Sequence, residues 1–172
     1  SGELGYELFC SPDGAEQVWA AVVGAGARPY GLAAVETIRI ESGLIFIGYD
    51  YFPGETSPYD MSLDNMIRFD GPDFCGKTVT GAESANPPNR LVTLVLDGDE
   101  VPEYGAAVTK DSAPVGTLTS PCESPTLGKV IGMAVLETGC AAVGERVDVA
   151  VGDGTAAATV ATLPVYDPEK AR

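Results

Sequence analysis

An α+β fold that ends in a small antiparallel β-barrel or jelly roll is predicted by three features of the sequence. Two stretches with helical apolar spacing fall in the first half of the chain. A segment rich in turn formers, Ser84-Ala85-Asn86-Pro87-Pro88-Asn89, interrupts it near the middle. Beyond that point apolar and polar residues alternate in short runs separated by turns, as antiparallel strands do. A chain of 172 residues with 45% hydrophobic content can bury a core for one large domain or two small ones. The boundary is placed at the double proline, giving domains over 1–85 and 86–172.

Leu4 to Cys10 alternates as a strand, with Leu4, Tyr6 and Leu8 on one face and Gly5, Glu7 and Phe9 on the other. Ser11 and Pro12 then suit the N-cap and first position of a helix. Over Ala15 to Val23 the residues Val18, Trp19, Val22 and Val23 recur at helical spacing, and Gly24 or Gly26 can end that helix. A second helix is predicted from Leu32 to Ser42, with Leu32, Val35 and Ile38 toward a core. Its Glu36 and Arg39 stand at i, i+3, and Gly43 closes it. Leu44 to Gly48 reads as a short apolar strand, and Tyr49-Asp50-Tyr51-Phe52-Pro53-Gly54 as a loop rich in aromatic rings with one carboxylate. In the second half, strands are predicted at Arg90 to Asp97, Ala106 to Lys110, Pro114 to Ser120, Lys129 to Leu136, Arg146 to Val151 and Ala156 to Leu163. Asp153-Gly154 marks a hairpin between the last two. Strands this short and numerous imply a barrel or a jelly-roll sandwich.

The charge balance removes several function classes. With 25 acidic against 10 basic residues, the formal net charge of −15 repels phosphate backbones and anionic lipid, so neither nucleic acid nor membrane is an expected partner. No apolar run approaches the roughly 18 residues of a membrane span, and no basic start precedes an apolar stretch, which makes a cytoplasmic protein the default expectation. The chain opens on Ser1 rather than an initiator Met and passes at once into a strand-like pattern, so it reads as a piece of a longer protein. The four cysteines, Cys10, Cys75, Cys122 and Cys140, form no Cys-x-x-Cys pair, and buried or half-buried thiols are expected in place of a metal cluster or a disulfide scaffold. The chain has no His. That excludes Ser-His-Asp and Cys-His catalysis and His-ligated metals, leaving carboxylates, Tyr, Lys and Arg.

Five ordered motifs point to one family. Ser1-Gly2-Glu3-Leu4-Gly5-Tyr6-Glu7, with Gly26 to Leu32 after it, resembles the (Thr/Ser)-Gly-Glu-x-Gly-Tyr-Glu and Gly-Ala-x-Pro-x-Gly-Leu of glycine-cleavage T proteins. Ile38-Arg39-Ile40-Glu41-Ser42-Gly43 is similar to that family's Leu-Arg-Leu-Glu-Ala-Gly, and Thr56-Ser57-Pro58 follows the aromatic loop. Asp73-Phe74-Cys75-Gly76-Lys77 and Ser124-Pro125-Thr126-Leu127-Gly128-Lys129 complete the set. The resemblance implies the C-terminal portion of a folate-dependent aminomethyltransferase or demethylase. On that reading 1–85 is part of a ferredoxin-like, Greek-key folate-binding domain and 86–172 is the family's C-terminal barrel. It further implies tetrahydrofolate as cofactor, a small amine or methyl donor, and a lipoyl carrier protein as partner. The catalytic residue, an Asp in the family, would lie upstream of residue 1 in the missing N-terminal region, so the piece alone is expected to be inactive.

By its place in the motif Glu7 corresponds to the glutamate that grips the pterin ring, with Tyr6 beside it and the rings of Tyr49 and Tyr51 lining the pocket. The chemistry suits that role, because a carboxylate can accept from the pterin's 2-amino and N3–H groups together. The bland reading of Glu7 is a solvated strand carboxylate, and Glu3 is read as a solvated or turn-capping one. For Arg39 and Glu41 a structural ion pair holding helix to loop is favoured over a ligand role. Ser-Pro-Thr-Leu-Gly-Lys either sets a barrel turn or brings a loop to the folate cavity, the first being favoured. Cys122 lacks a neighbouring base and reads as a structural thiol. Two departures bear on the donor: Val35 stands where aminomethyltransferases carry a folate-contacting Arg, and Phe46-Ile47-Gly48 replaces Leu-Tyr-Gly. The alternative class is a non-catalytic folate-binding or assembly protein on the same scaffold, whose Lys-Gly-Cys-Tyr-x-Gly signature is absent here.

Overall fold

A computed structural model describes residues 2, 4–83 and 86–166. Ser1, Glu3 and the Ser84-Ala85 part of the turn-rich segment lie outside the described residues. Three helices lead into the barrel: α1 (Ala15–Gly24), α2 (Leu32–Glu41) and α3 (Lys77–Glu83). Six strands follow: β1 (Asn89–Leu96), β2 (Ala107–Lys110), β3 (Ala113–Ser124), β4 (Lys129–Glu137), β5 (Arg146–Val151) and β6 (Gly154–Ala161). Every pairing among them is antiparallel, and they close in the order β1-β4-β3-β2-β5-β6. The choice between barrel and jelly roll is thereby resolved as a barrel, with no open edge left to pair with another chain. No helix among the described residues is long and apolar enough to cross a membrane.

Alternation builds two cores on the two sides of one wall. From β1, Val92, Leu94 and Leu96 fill the barrel interior, together with Val130, Ala134 and Leu136 of β4 and Leu118 of β3. The residues between them, Leu91 and Val95 of β1 and Ile131, Met133 and Val135 of β4, point outward onto Ile40 of α2 and Met61. β1 and β4 are therefore apolar on both faces, one serving the barrel and the other the helix that docks on it.

The helix ends follow the expected glycine logic. After α2, Gly43 adopts φ +68° while its N–H donates to the Ile40 carbonyl and Leu44 N–H to that of Arg39, and Gly26 closes α1 with the same pair of bonds. The burial of the helices departs from expectation. α1 buries no residue and leaves Trp19 exposed, its main packing neighbour among the described elements being the short turn Pro12–Gly14 that precedes it. The buried part of α2 is its last turn, Arg39, Ile40 and Glu41, whereas Leu32 is exposed, since the helix meets the barrel only by its C-terminal end.

Two predicted strands are not strands. Leu4–Cys10 is irregular and exposed, for the described residues offer its backbone no neighbouring strand to pair with. Leu44–Gly48 belongs to a turn in which Tyr49 and Asp50 N–H donate back to the Phe46 carbonyl and Gly48 N–H to that of Tyr51. Conversely β3 runs past Pro121 to Ser124, and α3 carried too little periodicity to be predicted. The β5–β6 hairpin turns on Gly152-Asp153, with Val151 opposite Gly154, one residue earlier than the Asp153-Gly154 signal implied.

One glycine is set by a close approach and yields a test. A Cβ on Gly116 of β3 would lie 2.2 Å from the Val135 carbonyl oxygen and 2.9 Å from Leu136 Cα, both backbone atoms of the paired strand β4. Gly116→Ala must push two ladder-bonded strands apart, and we expect a loss of about 1–3 kcal/mol in unfolding free energy. A denaturant midpoint unchanged from wild type would contradict that close packing.

Candidate functional site

The aromatic turn after α2 is held from below by one carboxylate. Asp50 is buried and accepts four hydrogen bonds: from Arg39 Nη1 (2.9 Å) and Phe46 N–H (2.8 Å) at Oδ2, and from the hydroxyls of Thr119 (2.5 Å) and Ser120 (2.7 Å) at Oδ1. Those donors come from α2, from the turn itself and from barrel strand β3. Arg39 is equally engaged, donating from Nε to Glu36 (2.8 Å), from Nη1 also to the Leu44 carbonyl (3.2 Å) and from Nη2 to Ser120 Oγ (3.0 Å). The expected ion pair of Arg39 with Glu36 is present, and a second, buried pair with Asp50 accompanies it.

A bulge in β3 makes this convergence possible. Leu118 opposes Ala134 and Ser120 opposes Met133, so Thr119 is an extra residue in the ladder. In a regular strand the side chains of Thr119 and Ser120 would leave opposite faces. The bulge turns both hydroxyls toward one carboxylate oxygen.

Farther along the same wall, Glu41 is gripped by the Ser-Pro-Thr turn. Its carboxylate accepts from the Ser124 hydroxyl and, at 2.9 Å, from that of Thr126, with Thr126 N–H at 3.3 Å. Ser124 Oγ in turn accepts from Leu127 N–H (3.1 Å) inside the β3–β4 hairpin. The Arg-Ile-Glu and Ser-Pro-Thr motifs, far apart in sequence, are thus two halves of one contact. Glu41 pairs with hydroxyls and an amide of the barrel, where a helix-to-loop ion pair had been the favoured expectation. Burial, with the nearby Glu41 charge, pushes the Cys122 thiol up to about 12, so it stays protonated and inert as a nucleophile. Cys10 and Cys75, expected to be buried or half-buried, are exposed, since both lie in segments with little packed against them.

The four residues singled out from sequence are distributed unevenly. Tyr49 is half exposed and meets Phe46 edge-on at 5.7 Å between centroids, and Tyr104 of the β1–β2 loop also at 5.7 Å; the Tyr104 hydroxyl reaches the Tyr49 carbonyl at 3.4 Å. Arg39 lies 5.5 Å beneath the Phe46 ring. The result is an aromatic ledge assembled from the turn and the barrel. Tyr51 packs into the core between α2 and the barrel. Tyr6 and Glu7 are exposed in the irregular N-terminal segment, and no contact described brings them to the ledge. Asp50, Thr119, Ser120 and Ser124 were not foreseen as site residues. The one available signal was a lone carboxylate, Asp50, in an aromatic loop shortly after a helix-borne Arg. Among the described residues no cluster of His, Cys, Asp and Glu is arranged to hold a metal ion.

Comparison with known proteins adds the lineage. Residues 1–71 match the family model described as the GCVT N-terminal domain, and residues 89–167 match that of the glycine cleavage T-protein C-terminal barrel domain. The chain is 36% identical to a trimethylamine-oxide aldolase of Ruegeria pomeroyi over 100% of its own length and 23% of that protein's. It is 35% identical to an aminomethyltransferase of Streptomyces avermitilis, covering 99% of this chain and 48% of the relative. The structure of the glycine cleavage system aminomethyltransferase T from Bartonella henselae superposes with a TM-score of 0.81 at 22% identity, over 91% of this chain and 45% of that one. The chain therefore spans about half the length of the aminomethyltransferases it matches.

Proposed function

Because the chain belongs to the glycine cleavage T-protein family, we propose that it serves as the folate-binding and barrel portion of a longer tetrahydrofolate-dependent one-carbon transferase. The observation that carries this reading is that α2 ties two family motifs to the barrel by separate contacts: Arg39 and the barrel hydroxyls hold Asp50 of the aromatic turn beneath exposed rings, and Glu41 is held by the Ser-Pro-Thr hairpin. An apolar ledge of edge-on rings supported by buried polar groups offers aromatic contact to a heterocycle, and the carboxylate of Glu7 has the acceptor chemistry that a pterin edge requires. We assign Glu7 and Tyr6 to the pterin edge and Tyr49 and Tyr51 to the ring face and its support. The residues present do positioning; the group that handles the donor amine belongs to the remainder of the protein. Domains over 1–85 and 86–172 and a cytoplasmic location complete this reading.

One observation favours a small N-methylated amine as donor over the glycine-cleavage intermediate on a lipoyl carrier: Val35 and Ile47 replace residues typical of aminomethyltransferases. Overall identity does not choose between the two donors, being nearly equal toward the aldolase and the aminomethyltransferases. The test is calorimetry of the intact parent protein with tetrahydrofolate. Glu7→Ala is expected to weaken binding roughly 10- to 100-fold, the worth of hydrogen bonds to a charged acceptor. Unchanged affinity would remove Glu7 from the site. The donor is settled by turnover: methylated amines should yield a folate adduct with the intact protein, and turnover of only the lipoyl-bound intermediate would overturn the donor assignment.

A further inference from the structure

We propose that Asp50 is a positioning residue, which sets the place and orientation of the aromatic ledge by tying the turn Phe46–Phe52 to both α2 and the barrel. The inference rests on the folate reading above for its functional consequence, though not for its structural one. Three observations carry it. First, the carboxylate is saturated: two oxygens accept four bonds, and the donors belong to three separate elements. Second, the residues that carry the ledge are not fixed by burial. Phe46, Ile47 and Tyr49 are all 46–53% exposed, and of the turn's side chains only Tyr51 packs into the core, so the tie at Asp50 is what sets the outer part of the turn. Third, the groups Asp50 organises touch the ledge directly. Its partner Arg39 lies under the Phe46 ring, and its bond to Phe46 N–H fixes the residue that carries that ring. Tyr104 and the two hydroxyls reach the turn from the barrel, so the ledge can form only while the turn is held against β3.

A buried carboxylate is suited to this in a way that an amide is not. Asn in its place offers one acceptor oxygen and an NH2 group: turned toward Arg39 and Phe46 N–H that NH2 meets only donors, and turned toward the hydroxyls it reverses their bonds, so that Thr119 must give its proton to the Met133 carbonyl instead. In either orientation the carboxylate charge that binds the turn to Arg39 and to the hydroxyls is gone, and Arg39 loses a counter-charge. The fold of the barrel, held by its own ladder and interior, does not depend on that tie.

The test compares Asp50→Asn with Leu94→Ala in the intact parent protein. Leu94 lies inside the barrel on β1, paired with Gly132 and Val160 and away from the bulge and the turn, so its variant reports loss of stability alone. Hydrogen exchange read by mass spectrometry should show the amides of 44–52 exchanging about tenfold faster in Asp50→Asn than in Leu94→Ala, as expected for one lost bond to a charged group. Tetrahydrofolate affinity should fall by about the same factor in Asp50→Asn only, appearing in KM and not in kcat. Thr119→Val removes one barrel tie and keeps both charges; it should move the same amides in the same direction and decides the matter if Asp50→Asn does not fold. Exchange of 44–52 no faster than in Leu94→Ala overturns the proposal. If wild type binds no folate, the functional reading fails, while the exchange result still decides whether Asp50 positions the turn.

Discussion

Arg39→Met should lower the free energy of unfolding by about 3–5 kcal/mol, as expected when one partner of a buried ion pair is removed and the other is left without a counter-charge. The stranded group is Asp50, whose side chain is fully buried and keeps only neutral donors once the guanidinium is gone. Glu36 loses its partner too, but it reaches solvent and contributes little to the loss. Lys at this position should not rescue, since one ammonium cannot address Glu36, Asp50, the Leu44 carbonyl and Ser120 from the directions that a planar guanidinium does. Urea unfolding with an unchanged m-value is the measurement, and Arg146→Met, which breaks the exposed pair with Asp97, is the control expected to leave the midpoint in place. A loss for Arg39→Met no larger than the control's would mean that the pair is solvated in solution.

Leu118→Ala should cost a similar amount, about 2–5 kcal/mol, for an unrelated reason. Leu118 is fully buried in the barrel interior, and its Cδ1 occupies the space that Gly132 leaves open on β4, where a Cβ would come within 2.8 Å. Truncation empties a volume whose walls belong to a closed ring of hydrogen-bonded strands, which cannot collapse inward without breaking its ladder. The upper half of the range is therefore expected, again from denaturant midpoints. A loss below about 1 kcal/mol would show that the barrel relaxes around the cavity.

The barrel was legible in the sequence because its strands alternate and its turns carry glycine and aspartate; five of the six predicted strands lie within two residues of the observed ends. The exception, β3, runs past the predicted end at Ser120 through Pro121, which sits beside a bulge where a missing donor is tolerated. The N-terminal strand was misread because alternation shows only that a segment can face two environments, and pairing depends on a neighbour that Leu4–Cys10 lacks among the described residues. The docking face of α2 was misplaced for a related reason: periodicity locates an apolar stripe, but the buried end is chosen by Arg39 and Glu41, whose partners Asp50, Ser124 and Thr126 are polar residues far along the chain. Side-chain hydroxyls on strands carry no local signature, and the network they form is visible only after the barrel has closed.

The extra residue at Thr119 carries a different kind of information from the motifs around it. Most of the contact between helix and barrel is written in residue identities, which substitution can erode one at a time. The bulge is written in a count of residues between Leu118 and Met133, so a single deletion would restore an even ladder, turn one hydroxyl away from the carboxylate and leave the composition of the site nearly unchanged. Relatives that keep the barrel but not the aromatic turn would be expected to differ here by length, a distinction that identity scores barely register.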